Sequence, residues 1–315
     1  MSGKVLVADP AFVLPVVQEL LDGTGIAAER ATPPWSGEDV VALLAGPDYS
    51  VKADDFSRLP NLRVVATPSV GFDHVDLRAA ARHGVWVCNL PDYCVEEMAD
   101  SALALLLATL RAIVPLDRSV RQGHWYDTPY RPLRRVAGTR LGVIGFGRIG
   151  RALARRAPAL GFDVWACDAA VPDEEVAAAG VRPAALAELL RSCEAFSLHV
   201  PLTEETRGLI GEAELAAMPR GSVLVNTARG GLVDHDALVR ALESGHLGGA
   251  ALDVLPVEPP TAEAPAPQAE TLVVTPHALW YSPEAEAAAY RLPVLAVRAV
   301  LDGTVPDGVV VAPAR

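Results

Sequence analysis

The stretch that most constrains this chain runs from Leu141 to Asp168, LGVIGFGRIGRALARRAPALGFDVWACD. An apolar run, Leu141 to Ile144, leads through Gly145, Gly147 and Gly150 into an amphipathic segment, and a second apolar run ends on Asp168. That order reads as strand, turn, helix, strand, closed by an acid. The three glycines serve different needs. Gly145 permits a tight turn, Gly147 lets backbone approach a pyrophosphate, and Gly150 lets helix and strand pack closely. The helix N-terminus then faces the anion. The spacing predicts a dinucleotide site formed by Gly145, Phe146, Gly147, Arg148, Ile149 and Gly150, with Asp168 accepting hydrogen bonds from ribose hydroxyls. A carboxylate there repels a 2′-phosphate, and Ala169 and Ala170 offer no cation to hold one, so the expected cofactor is NAD.

The 315 residues allow two domains of ordinary size. With a net charge of −12 the protein should be repelled by nucleic acid and by anionic membranes, which points to a small-molecule enzyme. Lys4 to Ala8 reads as a strand and not as a signal core, and no apolar run approaches membrane-spanning length. The expected location is the cytoplasm. Cys88, Cys94, Cys167 and Cys193 show no C-x-x-C spacing, so they are expected as thiols, with no metal site.

Strand and helix signals alternate along most of the chain. The first ninety-odd residues read as strands near Lys4–Ala8, Val40–Leu44, Arg63–Thr67 and Val85–Cys88, with helices near Val13–Leu21 and Asp76–His83. Glu96 to Ile113 is an Ala- and Leu-rich helix, too uniformly apolar for a surface position, and is expected at an interface between domains. A second series begins near Arg140 and runs to a strand at Thr271–Thr275. Such alternation means parallel doubly wound sheets, whose ligands lie at the carboxyl ends of the strands. Ser282-Pro283-Glu284 opens a last helix to about Leu301, while Pro158 and Pro293 should kink or shorten the helices that contain them.

Several blocks carry a resemblance that covers essentially the whole chain. They are Ser69-Val70-Gly71-Phe72-Asp73, the Gly145 fingerprint, Leu198-His199-Val200-Pro201-Leu202-Thr203, Asn226-Thr227-Ala228-Arg229-Gly230, Leu252-Asp253-Val254 with Glu258-Pro259, and Thr275-Pro276-His277. In order and spacing the sequence resembles the NAD-dependent D-2-hydroxyacid dehydrogenases. Asn89 to Glu97 and His277 to Ser282 look most like the branch containing the C-terminal binding proteins and their bacterial relatives. His74 departs from a commoner asparagine. The resemblance implies a Rossmann-type NAD-binding domain, 98–285, inserted into a flavodoxin-like substrate domain made of 1–97 and 286–315. It also implies a cleft active site and a homodimer built through the cofactor domain.

The same resemblance assigns Arg229, Glu258 and His277 to catalysis. It adds His199, Val200, Pro201, Thr206, Thr227, Ala228, Asp253 and His277 to the cofactor site, and Ser69, Val70, Gly71, Arg229 and Trp280 to the substrate site. These residues make chemical sense. A 2-keto acid needs a cation for its carboxylate and carbonyl, and the planar fork of Arg229 suits that. It needs a proton donor for the developing alkoxide, and the imidazole of His277 can be one, with Glu258 as its partner. His83, His124, His235 and His246 read as surface residues. Two other readings share these motifs, an NAD-sensing corepressor-like binding protein and a dehydrogenase of another small anion such as phosphite or formate. Arg131, Arg134 and Arg135, beside Tyr130, raise the option of a second anion site, although a solvated basic linker explains them as well.

Overall fold

The computed structural model describes residues 3–125 and 133–313. The chain divides into two units, Met1–Tyr93 with Ser282–Arg315, and Cys94–Tyr281. The junctions fall four residues earlier than the 97/98 and 285/286 expected, because helices Val95–Leu110 and Pro283–Leu301 each keep their first turn. In chain order the strands are β1 (Gly3–Val7), β2 (Ile26–Arg30), β3 (Val40–Leu44), β4 (Val64–Ala66), β5 (Trp86–Cys88), β6 (Arg140–Ile144) and β7 (Asp163–Cys167). They continue with β8 (Arg182–Pro183), β9 (Ala195–Leu198), β10 (Ser222–Asn226), β11 (Leu247–Leu252), β12 (Leu272–Val274) and β13 (Val309–Val311).

The first unit holds a six-stranded sheet in the order β13-β5-β4-β3-β1-β2. Five strands are parallel and β13 runs antiparallel to β5. The parallel part, 2-1-3-4-5, is the flavodoxin-like order. Its central strands are apolar on both faces because helices cover both sides. Three elements carry too weak a pattern to be read from the sequence: β2, whose Ile-Ala-Ala-Glu-Arg is largely solvent-facing at the sheet edge, the polar helix Ala53–Arg58, and β13.

The second unit holds a seven-stranded parallel sheet in the order β12-β11-β10-β9-β6-β7-β8. Strand order reverses between β6 and β9, and the crevice outside their carboxyl ends is where such sheets bind ligands. Helix Val95–Leu110 lies on this sheet, with Ala102, Leu105, Leu106 and Leu110 packed among Leu141, Val143, Leu153, Val223 and Val225. Each such leucine contributes roughly 1.5–3 kcal/mol by leaving water. The long apolar helix is therefore core within its own unit. It also ends sooner than Ile113: Ala112 takes a left-handed φ of 48°, and a new helix, Ile113–Arg121, starts there. Pro115 explains the break, since proline is tolerated in a first turn but clashes inside a continuous helix.

Proline shortens the helix at one other site, and at the next the helix continues past it. Helix Arg148–Arg156 gives way to a 3-10 turn at Ala157–Leu160 that contains Pro158. Helix Pro283–Leu301, by contrast, runs through Pro293 without interruption. Burial of Val294, Ala296, Val297 and Val300 in the core of the first unit offsets the lost hydrogen bond.

Candidate active site

The fingerprint turn follows β6. Gly145 has φ 99°, and a Cβ on it would lie 2.6 Å from the carbonyl carbon of His199, so the loops after β6 and β9 touch only because this residue is glycine. A Cβ on Gly150 would lie 2.1 Å from Gly145 O, whereas one on Gly147 would meet nothing within 4 Å. Open space therefore stands over Gly147, at the N-terminus of helix Arg148–Arg156. Asp168 ends the next strand, and its Oδ2 accepts from Phe146 N at 2.6 Å while Oδ1 accepts from Ala170 N and Val171 N. The buried hydroxyl of Thr227 has no partner among the described residues. An open cradle at a helix N-terminus, a fixed carboxylate and an orphaned buried hydroxyl fit a dinucleotide.

Other residues expected at this site spend their polar groups locally. Thr206 Oγ1 donates to Pro201 O at 2.7 Å and accepts from Thr203 N, closing the turn 201–206. His199 Nε2 lies 2.9 Å from Ser197 Oγ, and burial pushes its ring down to about 4, so it stays neutral.

The catalytic candidates gather at the carboxyl ends of β10, β11 and β12. Asn226, wholly buried at the end of β10, donates from Nδ2 to Arg229 O and accepts from Ala228 N, which shapes the loop carrying Arg229. Gly230 follows, and a Cβ there would lie 2.1 Å from the carbonyl carbon of Leu255. This backbone contact joins the Arg229 loop to the loop carrying Glu258. Glu258 Oε1 accepts from Leu255 N at 2.5 Å, and Oε2 lies 2.6 Å from His277 Nδ1. Burial pushes the Glu258 carboxyl up, but the hydrogen bonds from His277 and Leu255 N, with the charges of His277 and Arg229, hold it below its ordinary value.

His277 has φ 54°, a left-handed conformation unusual for a residue with a side chain. Two features of Asp253 hold it there. Its carbonyl accepts from His277 N at 2.8 Å, and its buried carboxylate accepts from Thr275 Oγ1 at 2.6 Å and from Ala278 N and Leu279 N. Burial raises the Asp253 carboxyl, with these hydrogen bonds and His277 opposing the shift. The carboxylate expected at the cofactor site thus also anchors the histidine loop. Sequence reasoning missed Asn226, Gly230 and Thr275 as functional residues. Each lies inside or beside a block that the resemblance marks, but what each contributes is a contact with another loop or within its own, which the pattern alone does not show. Trp280 and Tyr281 follow, their rings edge to face at 5.8 Å.

Ser69, Val70 and Gly71 lie in the first unit, after β4. The option of an anion site at Arg134 is overturned. Arg134 Nε donates to Gly221 O at 3.0 Å and its terminal nitrogen to Arg220 O at 2.8 Å, at the amino end of β10, whereas Arg229 follows the carboxyl end of that strand. Its fork is occupied by carbonyls at the opposite edge of the sheet. Arg131 and Tyr130 lie outside the described residues. Among the described residues no cluster of His, Cys, Asp and Glu is arranged to hold a metal, and no single helix is long and apolar enough to cross a membrane.

Comparison with known proteins identifies the family. Residues 103–278 match the family model of the D-isomer specific 2-hydroxyacid dehydrogenase NAD binding domain. The chain is 38% identical to a glycerate dehydrogenase of Methylorubrum extorquens over 267 residues, 80% of this chain and 82% of the relative. It is 41% identical to a glyoxylate reductase of Korarchaeum cryptofilum over 243 residues, 76% of this chain and 72% of the relative. The structure is similar to that of D-lactate dehydrogenase from Aquifex aeolicus complexed with NAD and lactic acid, with a TM-score of 0.88 and 28% identity over 99% of this chain and 100% of that one. The chain belongs to the D-isomer specific 2-hydroxyacid dehydrogenase family and is a nicotinamide-dinucleotide-linked oxidoreductase of hydroxy acids.

Proposed function

We propose that this enzyme interconverts a small 2-keto acid and its D-2-hydroxy acid, with Arg229, Glu258 and His277 as the catalytic residues. The observation that carries the assignment is the 2.6 Å contact between His277 Nδ1 and Glu258 Oε2. With Nδ1 committed to the carboxylate, Nε2 is the ring nitrogen left to exchange a proton with substrate. When bound, the nicotinamide dinucleotide supplies or accepts the hydride. His277, as imidazolium, protonates the carbonyl oxygen during reduction, and Glu258 stabilises the charged ring. Arg229 orients the carboxylate and stabilises the negative charge growing on oxygen, an interaction stronger in the transition state than in the ground state.

Gly145 to Gly150 hold the pyrophosphate and Asp168 the ribose hydroxyls, which favours NAD(H) over NADP(H). The three backbone N–H groups that converge on Asp168 support this, since they fix its carboxylate at the strand end. The functional unit is a homodimer in the cytoplasm, acting on small molecules and not on nucleic acid. Exposed Ile113, Val120 and Trp125, on and just after helix Ile113–Arg121, support a self-association surface. The test is NADH oxidation across a panel of 2-keto acids differing in size and charge, repeated with NADPH. The expected result is turnover of small keto acids with higher kcat/KM for NADH. Equal or better efficiency with NADPH contradicts the cofactor assignment, and no turnover of any keto acid contradicts the reaction.

A further inference from the structure

Read from the sequence as a surface residue, His235 is partly buried in the structure, next to the contact that joins two catalytic loops. It opens helix His235–Glu243, directly after Asp234, whose carboxylate caps the helix by accepting from Ala237 N at 2.9 Å. The 3-10 turn Gly230–Leu232 comes just before it in the chain. The imidazole faces the carbonyl of Gly230, yet its Nε2 is buried and completes no hydrogen bond with a described residue. An orphaned buried polar atom costs about 1–3 kcal/mol, so the ring is kept in this place against a penalty.

Gly230 carries the Arg229 loop and sits on Leu255, whose N–H holds Glu258. His235 also lines a cavity of about 680 Å³ together with Leu255, Pro256 and Val257, the start of the loop that carries Glu258. The Gly230 carbonyl accepts from Val233 N at 3.2 Å, which leaves its second lone pair for another donor. Burial holds the His235 ring below its ordinary value, against the Gly230 carbonyl and the charges of Asp234 and Asp236, which favour the imidazolium. The other charged groups on the elements packed there are Arg240 and Glu263 in the cavity wall, Glu212, which pairs with Arg240 at 3.1 Å, Arg207 beside Gly231, and Arg229 and Glu258 themselves. Strand β11, against the same helix, brings no charge.

We propose that His235 is a positioning residue for the reaction, and that its neutral form keeps the Arg229 and Glu258 loops in register. Neutral, the ring leaves Gly230 seated on Leu255, and both catalytic side chains keep their places. An imidazolium at the same position has a buried N–H to satisfy, and the acceptor it faces is the Gly230 carbonyl. Charge-assisted hydrogen bonds are shorter and roughly twice as strong as neutral ones, so the carbonyl turns toward the ring and away from Val233 N, and the turn behind Arg229 shifts against Leu255. His235 itself touches no reacting atom. The proposal rests on the 2-keto acid reading above, and its pH dependence is opposite in sign to that of His277: reduction uses the His277 imidazolium, but it falls at acid pH when His235 becomes charged.

The experiment takes wild type, His235→Gln and His235→Ala through pH profiles of kcat/KM for reduction of an active 2-keto acid, with the Kd of NADH measured alongside. Wild type should lose activity as pH falls through the His235 titration. His235→Gln, which keeps an N–H donor and cannot be charged, should lose that limb and retain only the one that Glu258 protonation causes. At neutral pH its kcat/KM should lie within about threefold of wild type, whereas His235→Ala should be lower on the order of tenfold or more, since catalytic groups displaced by about 1 Å can cost a hundredfold. The NADH Kd should keep its wild-type value in both. NMR of the ring nitrogens in wild type, which needs no folded variant, should place the His235 midpoint at the kinetic acid limb. A wild-type profile without an acid limb, a limb unmoved in His235→Gln, or a midpoint away from the limb overturns the proposal. So does a His235→Ala enzyme with wild-type kcat/KM, or a His235→Gln enzyme no better than His235→Ala. Wild-type turnover separates the two ideas: without it the 2-keto acid reading falls and takes this proposal with it, whereas turnover with any of these outcomes removes His235 alone.

Discussion

At the residue scale the proposed chemistry narrows to one imidazole and one carboxylate. His277→Ala removes the proton donor and should lower kcat on the order of 10²- to 10⁴-fold, the usual contribution of one general acid. A folded, NADH-binding His277→Ala enzyme with near-normal kcat would take His277 out of the mechanism. The pH profile carries the sign. Reduction uses the imidazolium and oxidation the neutral ring, so reduction should fall with rising pH and oxidation with falling pH. Glu258, whose carboxyl is held below its ordinary value, favours the imidazolium. Its stabilising contribution to the fold is present above the unfolded carboxyl's range and is lost as pH falls through the depressed folded value. In Glu258→Gln the neutral amide no longer favours the charged ring, and the descending limb of reduction should move to lower pH; an unmoved limb in pH-rate profiles would deny Glu258 this role.

At the element scale the site depends on strand ends that bring separate loops into backbone contact. Gly230 is the tightest of these, because its missing side chain lets the loop after β10 lie against Leu255, whose N–H holds Glu258. Gly230→Ala should push the two loops apart and lower kcat/KM on the order of a hundredfold, the scale expected when catalytic groups shift by about 1 Å. The cost in stability should be smaller, about 1–3 kcal/mol for an overpacked contact. Thermal unfolding and steady-state kinetics on the same preparation check both, and an unchanged kcat/KM would show that the loop contact does not set the geometry. The Thr275 hydroxyl and the Asp253 carboxylate work in a similar way. Together they hold a strained histidine, with φ 54°, by hydrogen bonds from strand ends that are far apart in sequence.

For the whole molecule, two parallel sheets of different strand order share one chain, and the exposed apolar side chains of Ile113 and Val120 sit on a helix of the second. Size-exclusion chromatography with light scattering should give twice the 33.1 kDa chain mass, and Ile113→Asp with Val120→Asp should return the single-chain value. A wild-type protein at single-chain mass would contradict the dimer. Much of this architecture is legible in the sequence because it rests on local rules. Buried parallel strands are continuous apolar runs, glycine spacing marks the phosphate turn, and Asp168 stands where the second strand must end. Arg229, Glu258 and His277 are also visible there, each inside a short block at a strand end. What the sequence leaves open depends on neighbours distant along the chain. The polar edge strand β2 is recognisable only by its pairing with β1, and the helix through Pro293 survives by core burial. Arg134, adjacent to a basic run, is bound by two carbonyls 86 and 87 residues away. Periodicity and motif spacing report which segments fold and which can hold a ligand; the partner of a side chain is chosen by tertiary packing, which brings together residues that no local pattern relates.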